Sequence, residues 1–313
     1  MPRAARSPKP KTPRVPAGRL RILNWNILEG ASEGRLDGLL REIRALRPHV
    51  VALQECNGWH ARGERILRQV ADVLRMQAFP HWTVGGFQPV VLTSLAGARA
   101  VWHDDQDHFR HGYQEVLLPL DGGREWRFFN THLDPFLESA RLAEVRTILR
   151  AMKPHFGGFC SLVGDLNSVA PGESVNGVRL GRATTRVRLN DHPILRVKYD
   201  HGGMAGTAGW TQGGPPRPLR QVPGPVLRQA THVELRTDVY RALARARWVD
   251  AFRKLHPREP GLTIDSNVPR GRIDYTWLSP ALARRLRRIE VLYGPRLAKL
   301  SDHCPILWEV ELD

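Results

Sequence analysis

Short apolar runs that stop at polar or acidic residues recur along this chain and constrain its fold more than any other feature. Leu20-Arg21-Ile22-Leu23 leads into Asn24-Trp25-Asn26, and Val50-Val51-Ala52-Leu53 delivers Gln54 and Glu55. Trp126–Asn130 exits into Thr131-His132, Leu162-Val163 into Gly164-Asp165-Leu166-Asn167, and Ser301-Asp302-His303-Cys304 precedes the last run. Runs this short read as buried strands, and period two sends alternate residues to opposite faces of a sheet. In Phe159–Ser168 that period predicts Asp165 and Asn167 on one side of the sheet, where the chain leaves it.

Between these runs lie helical patterns. Ser32 is placed to cap a helix whose apolar positions Leu36, Leu39, Leu40, Ile43 and Leu46 recur at helical spacing, and Pro48 stops it. A second helix is predicted over Arg65–Gln77, and others near Ser139–Met152 and Asp238–Ala246. Pro89–Thr93, Tyr113–Leu120, Trp126–Asn130, Arg272–Leu278 and Pro305–Leu312 read as strands, with Asp121-Gly122-Gly123 as a hairpin turn. Ser279-Pro280 has the N-cap/N1 arrangement of a helix start. Strand–helix–strand order points to an α/β layered domain.

Two segments depart from this pattern. Residues 1–18, rich in Pro, Arg and Lys and without an acid, read as a disordered basic tail. Residues 19–313 form one domain, interrupted by an irregular insertion at about 171–237. Within the insertion, Arg186–Leu189 and Ile194–Tyr199 alternate around Asn190-Asp191-His192-Pro193 as a basic hairpin would. Its outward arginines either grip phosphates or protect a solvated edge.

The 313 residues are 42% hydrophobic and 25% charged, the composition of a soluble globular protein. No apolar run approaches the ~20 residues of a membrane span, so no membrane association is expected. Three cysteines without CxxC spacing argue for reduced thiols, hence a cytoplasmic protein, and against a zinc site. The formal net charge of +16 has two readings: an anionic partner such as nucleic acid, or arginine spread over the whole surface. A monomer is the simpler expectation.

Polar groups at one strand end are ordinary. Asn26, Glu55, His132, Asp165 with Asn167, Asp274, and Asp302 with His303 are more than sheet ends need, because buried polar groups cost stability unless a site uses them. Carboxylate and amide oxygens with few thiols suit a hard cation such as Mg²⁺ or Mn²⁺, and such ions clamp phosphate oxygens. Two histidines add candidate acid, base and phosphate contacts. The chemistry predicted from these residues is metal-assisted phosphoester hydrolysis.

Leu23-Asn24-Trp25-Asn26-Ile27, Leu53-Gln54-Glu55, Asn130-Thr131-His132-Leu133, Gly164-Asp165-Leu166-Asn167-Ser168, Arg272-Ile273-Asp274-Tyr275 and Ser301-Asp302-His303-Cys304-Pro305 occur in this order. Together they resemble the endonuclease/exonuclease/phosphatase, or DNase I-like, superfamily. The resemblance runs from about Arg19 to the C-terminus, apart from the insertion. It implies a four-layer α/β sandwich, two mixed β-sheets packed face to face and flanked by helices. It also implies that Glu55 is the primary metal ligand and that Asp302 completes or supports the site. Asn26 and Asn167 would orient Asp165 and the phosphate, and Asp165 would align or deprotonate the attacking water. His303 would contact the phosphate or act as base, fixed by Asp274, with His132 on the other side of the phosphate. Either Asp165 or His303 takes the proton. Arg272 either reaches a phosphate, as a substrate-binding group, or bridges a neighbouring acid.

Two departures from the family pattern stand out. Abasic-site endonucleases carry an acid two residues after the first-strand Asn, where this chain has Leu28. An earlier-strand carboxylate or amide partners the histidine equivalent to His132, and Gln88 is the nearest candidate. The expected activity is hydrolysis of nucleic acid phosphodiesters. The alternatives are a phosphatase or phosphodiesterase acting on an inositol phosphate, nucleotide or lipid head group, and a non-catalytic nucleic-acid-binding module.

Overall fold

Two six-stranded sheets carry the chain, and the two-residue period of each strand assigns its side chains to layers. The computed structural model describes residues 18–83, 86–175, 178–179, 185–188, 232–235, 237–264 and 271–312. The first sheet contains β1 (Arg19–Asn26), β2 (Val50–Gln54), β3 (Gln77–Pro80), β4 (Val90–Thr93), β15 (Leu286–Val291) and β16 (Ile306–Glu311), in the order β15-β16-β1-β2-β4-β3. The second contains β5 (Arg99–Val101), β6 (Tyr113–Pro119), β7 (Glu125–His132), β8 (Phe159–Asp165), β13 (Val249–Asp250) and β14 (Asp274–Leu278), in the order β13-β14-β8-β7-β6-β5. β1 and β2 pair in parallel, as do β7 and β8, and each parallel pair is joined through a helix. The remaining pairings in both sheets are antiparallel.

Leu20, Ile22, Val50, Ala52, Trp126, Phe128 and Val163 face inward and pack in one cluster between the sheets, with Trp308 and Val310. Their neighbours of opposite parity face outward. Leu23, Trp25, Val51 and Leu53 meet Leu39, Leu40 and Ile43 of helix Leu36–Leu46, and Leu67 and Val70 of helix Ala61–Leu74. On the far side, Phe129, Leu162, Tyr275 and Trp277 meet Val145, Ile148 and Met152 of helix Glu138–Met152, and Val239 and Leu243 of helix Asp238–Arg245. The layers are helices, sheet, sheet, helices: the four-layer α/β sandwich expected from the sequence. Among the described residues no helix is long and apolar enough to cross a membrane.

Several local expectations change. Helix Leu36–Leu46 begins at Arg35 without a side-chain cap, so Ser32 does not cap it. The chain instead makes a tight turn over Leu28–Ala31, with Leu28, Glu29, Gly30 and Ala31 all at positive φ. The Arg35 guanidinium holds that turn by donating to the carbonyls of Ile27, Leu28 and Leu300. In the second helix, Ala61–Leu74, residues Arg62, Gly63 and Glu64 have positive φ, so its regular part begins at Arg65 as the apolar spacing predicts, and it ends earlier than expected, at Leu74. In the insertion, β11 (Thr185–Arg188) pairs with β12 (His232–Leu235), and β9 (Ser174–Val175) with β10 (Val178–Arg179). The expected partner Ile194–Tyr199 lies outside the described residues, as does the tail up to residue 17.

Gly164 lets β7 and β8 approach closely just before the site. It sits at φ +136°, and a Cβ there would lie 1.9 Å from the Thr131 carbonyl oxygen. Both the dihedral and the space exclude a side chain. Gly164→Ala is expected to lower stability by upwards of about 3 kcal/mol, read as a fall in the denaturation midpoint. An unchanged midpoint would show that the strands part there at no cost.

Candidate active site

The inner face of each central strand runs from apolar to polar toward one end of the sandwich. On β1 the inward order is Leu20, Ile22, Asn24, Asn26; on β7 it is Trp126, Phe128, Asn130, His132. Where the core gives out, three amides close the gap between the sheets. Gln54 Nε2 donates to Asn24 Oδ1 at 2.8 Å and to Asn130 Oδ1 at 2.7 Å, and Asn130 Nδ2 donates to the Leu53 carbonyl at 3.0 Å. This buried network is the floor of the site. Its residues stood inside the recognised motifs, but nothing in their spacing distinguished floor from site.

Above the floor, strand register lines up three functional groups. His132 on β7 pairs with Asp165 on β8, and Asp165 pairs with Asp274 on β14. Asp165 Oδ2 accepts from Asn26 Nδ2 at 3.0 Å and stands 3.5 Å from His132 Nε2 and 3.8 Å from His303 Nε2. Its Oδ1 accepts the backbone N–H of Asn167 at 2.9 Å. β8 ends at Asp165, so the alternation that was expected to carry Asn167 does not reach it. Asn167 instead adopts a left-handed conformation, φ 47°, and its Nδ2 donates to the Leu133 carbonyl at 3.0 Å. A non-glycine residue held at positive φ stores strain that the surroundings must offset, a feature that clusters at functional sites.

Glu55, one residue past β2, is also at positive φ (59°) and buried. Its Oε1 accepts from Asn26 Nδ2 at 3.1 Å, and its Oε2 accepts the Glu29 N–H at 3.0 Å from the left-handed turn. The Asn26 amide thus stands between two carboxylates, one from each sheet.

His303 is fixed at several points. Its Nδ1 lies 2.8 Å from Asp274 Oδ2, its carbonyl accepts from Trp25 Nε1 at 2.9 Å, and its N–H donates to Ser301 Oγ at 3.1 Å. Ser301 Oγ in turn donates to the Asn26 carbonyl at 2.7 Å. Trp25 is therefore both core and anchor. Asp274 is set by its backbone N–H, which donates to Thr263 Oγ1 at 3.0 Å. Asp302 is half-buried beside His303.

The electrostatics follow from burial and crowding. Burial raises Asp165 first, Asp274 adds to the rise, and nearby His303 offsets part of it, leaving the carboxyl at about 7. For His303 burial alone would favour the neutral ring. The charges of Asp274, Asp302 and Asp165 outweigh it and push the imidazole up to about 10. His303 is therefore an imidazolium at neutral pH.

The ligand-type atoms of Asp165, Asp274 and His303 lie within 4.8 Å of one another, close enough to hold an ion. Glu55 and Asp165 share the Asn26 amide, Asp165 and Asp274 flank His303, and carboxylate oxygens of this kind suit a hard divalent ion.

One expectation is corrected. Arg272 is buried, donating through Nε and Nη2 to Glu173 and through Nη1 and Nη2 to Asp250, with its guanidinium 4.4 Å from the Tyr275 ring centroid. All three nitrogens are committed, which makes Arg272 a strut beneath β14 and not a phosphate contact. Gln88 is buried, and its backbone carbonyl accepts the Cys56 N–H at 3.0 Å. Two rings lie against His132: that of His111, buried and 4.2 Å away between centroids, and that of Phe87 at 6.3 Å. His111 precedes β6 in a segment without periodicity, and no sequence signal marked it.

The profile described as the Endonuclease/Exonuclease/phosphatase family matches residues 23–303. A comparison with curated proteins finds no match. Among solved structures, an AP endonuclease from Archaeoglobus fulgidus is similar at TM-score 0.59 and 19% identity, covering 92% of this chain and 98% of that one. The catalytic domain of human Nocturnin, with bound sulfate, gives 0.55 and 15%, covering 94% of each. TDP2 from D. rerio, complexed with a single-strand DNA product, gives 0.56 and 14%, covering 93% of this chain and 98% of that one. At these identities the likeness is one of fold.

A raised imidazole pKa contributes stability that is fully present below its ordinary value of 6.5 and is lost as pH rises through about 10. In metal-free protein, nitrogen NMR is expected to follow the His303 ring as imidazolium until near that pH. Asp274→Asn removes the nearest charge and is expected to bring the transition down toward the ordinary imidazole range. A parent ring that titrates near 6.5 would contradict this electrostatic picture.

Proposed function

The chain belongs to the endonuclease/exonuclease/phosphatase family, and from that premise we propose that it hydrolyses nucleic acid phosphodiesters with the help of Mg²⁺ or Mn²⁺. The observation that carries the reading is the row His132–Asp165–Asp274, with His303 bonded to Asp274 and Asn26 bridging Asp165 to Glu55.

Each group has a role that its surroundings support. Asp165, with its pKa raised toward neutrality, takes the proton of a water attacking phosphorus; a base poised near the working pH is the efficient one. His303, held as imidazolium, donates from Nε2 to a phosphate oxygen, while Asp274 fixes the ring through Nδ1. His132 faces the phosphate from the β7 side, and Asn26 and Asn167 hold the two oxygens of Asp165 in place. As the water oxygen bonds to phosphorus, the ester oxygen leaves. Glu55 and Asp302 are the residues assigned to hold the divalent ion, which when bound neutralises charge on the phosphate. Nucleic acid is favoured as substrate by the net charge of +16.

The test is incubation of the purified protein with single- and double-stranded DNA and RNA, with Mg²⁺ or with EDTA. Metal-dependent cleavage of at least one polymer is expected, weakening as salt rises. Asp165→Asn is expected to lower kcat by about 10²- to 10⁴-fold. Phosphate release from inositol phosphates or nucleotides without polymer cleavage would overturn the choice of substrate. Salt-sensitive binding of polymer with no hydrolysis of anything would overturn the enzyme.

A further inference from the structure

Two edge strands, one from each sheet, end on the site side of the sandwich and each hands on an aromatic ring. β3 of the first sheet runs into His81, whose N–H donates to the Pro89 carbonyl just before β4. β5 of the second sheet runs into Trp102. Because β5 is antiparallel to β6 and β6 to β7, Trp102 emerges at the end where β6 begins and β7 delivers His132. The two rings meet there, with centroids 5.7 Å apart at 41°.

Other rings link this pair to the site. His111 packs on His132 and on Phe87, at 4.2 and 4.9 Å between centroids, and Phe87 meets His132 edge-on at 6.3 Å. Next to His111, Gly112 makes room for His81: a Cβ there would lie 2.8 Å from His81 Nε2. His132 with His111 and His81 with Trp102, two ring pairs joined at Gly112, thus form an aromatic wall on one side of Asp165. Its inner members are buried, yet Trp102 is 63% exposed, the most exposed large hydrophobic side chain among the described residues.

A lone exposed apolar side chain on a protein surface needs no explanation. Trp102 differs because a buried ring backs it and it stands at the end of a wall that begins at the reaction centre. A flat, supported, uncovered indole is suited to stacking, and every nucleobase offers it a π face.

We infer that Trp102 is a base-stacking platform for the nucleotide flanking the scissile phosphate, on the His132 side of the site. This inference rests on the phosphodiesterase reading above and narrows it. The ligand is a strand whose bases are unpaired, because an indole can stack only on a base that has left the helix. Trp102 thereby becomes a specificity residue that separates nucleotide substrates from ring-free phosphoesters.

The experiment compares two single-stranded oligomers with the same phosphodiester backbone, one of thymidines and one of base-free tetrahydrofuran units, cleaved by parent, Trp102→Ala and Trp102→Phe proteins. Stacking on an aromatic side chain is worth about 1–3 kcal/mol per base, which is about 5- to 150-fold. The ratio of kcat/KM on thymidine to that on base-free oligomer is expected to fall by this factor in W102A and to be largely kept in W102F. Matching thermal melts for the three proteins exclude a folding defect. A ratio unchanged in W102A, or lost equally in W102F, overturns the platform while cleavage by the parent leaves the phosphodiesterase reading intact. Failure of the parent to cleave either oligomer or any other nucleic acid overturns both.

Discussion

One amide holds the two halves of this site together. Asn26 ends the inward column of β1 in the first sheet, and its Nδ2 reaches both Glu55 Oε1 and, across the gap, Asp165 Oδ2 of the second sheet. Burying two carboxylates so close together is unfavourable unless donors and cations compensate them. Asn26 supplies the donor between them. The imidazolium of His303 supplies one positive charge on one side, and a divalent ion against Glu55 would supply the rest. Remove the amide and the two carboxylates lose the donor they share.

The rest of the molecule serves to keep that contact dry and in register. The apolar layer between the sheets stops at Asn24, Gln54 and Asn130, which tie the sheets together at the depth where water would otherwise enter. Gly164 brings β7 and β8 close, so that His132 and Asp165 lie side by side. Ser301 and Trp25 bind the last motif to the backbone and side chain of β1, and Arg35 joins the turn after Asn26 to the carbonyl of Leu300. Distant pieces of chain are fixed by bonds to the same strand end, which is how residues from Asn26 to His303 come to share one small volume.

Much of this was legible in the sequence because strands of period two sort side chains by parity. Leu20, Ile22 and Asn26 share a parity, as do Trp126, Phe128 and His132, so the face that buries the core also presents the site. What the sequence could not supply was anything set by turns or by edges. Asn167 is placed by a left-handed turn and not by alternation, and the helix expected to start at Ser32 yields to a left-handed turn over Leu28–Ala31. The edge strands β3 and β5 are short, and β3 ends in Pro80, so neither shows a clear alternation. His111 is invisible for the same reason: its partnership with His132 exists only once β6 and β7 pair. Arg272 shows the opposite limit. Its two possible roles were clear from sequence, but only the positions of Asp250 and Glu173 decide between them.

In the proposed mechanism Asn26 separates a proton side, where Asp165, Asp274 and His303 crowd together, from a metal side at Glu55. Manganese soaked into crystals of the protein and located by its anomalous scattering tests this division most directly. A peak is expected against the Glu55 carboxylate and none between Asp274 and His303. A peak ligated by His303 and Asp274, with the Glu55 side bare, would contradict it.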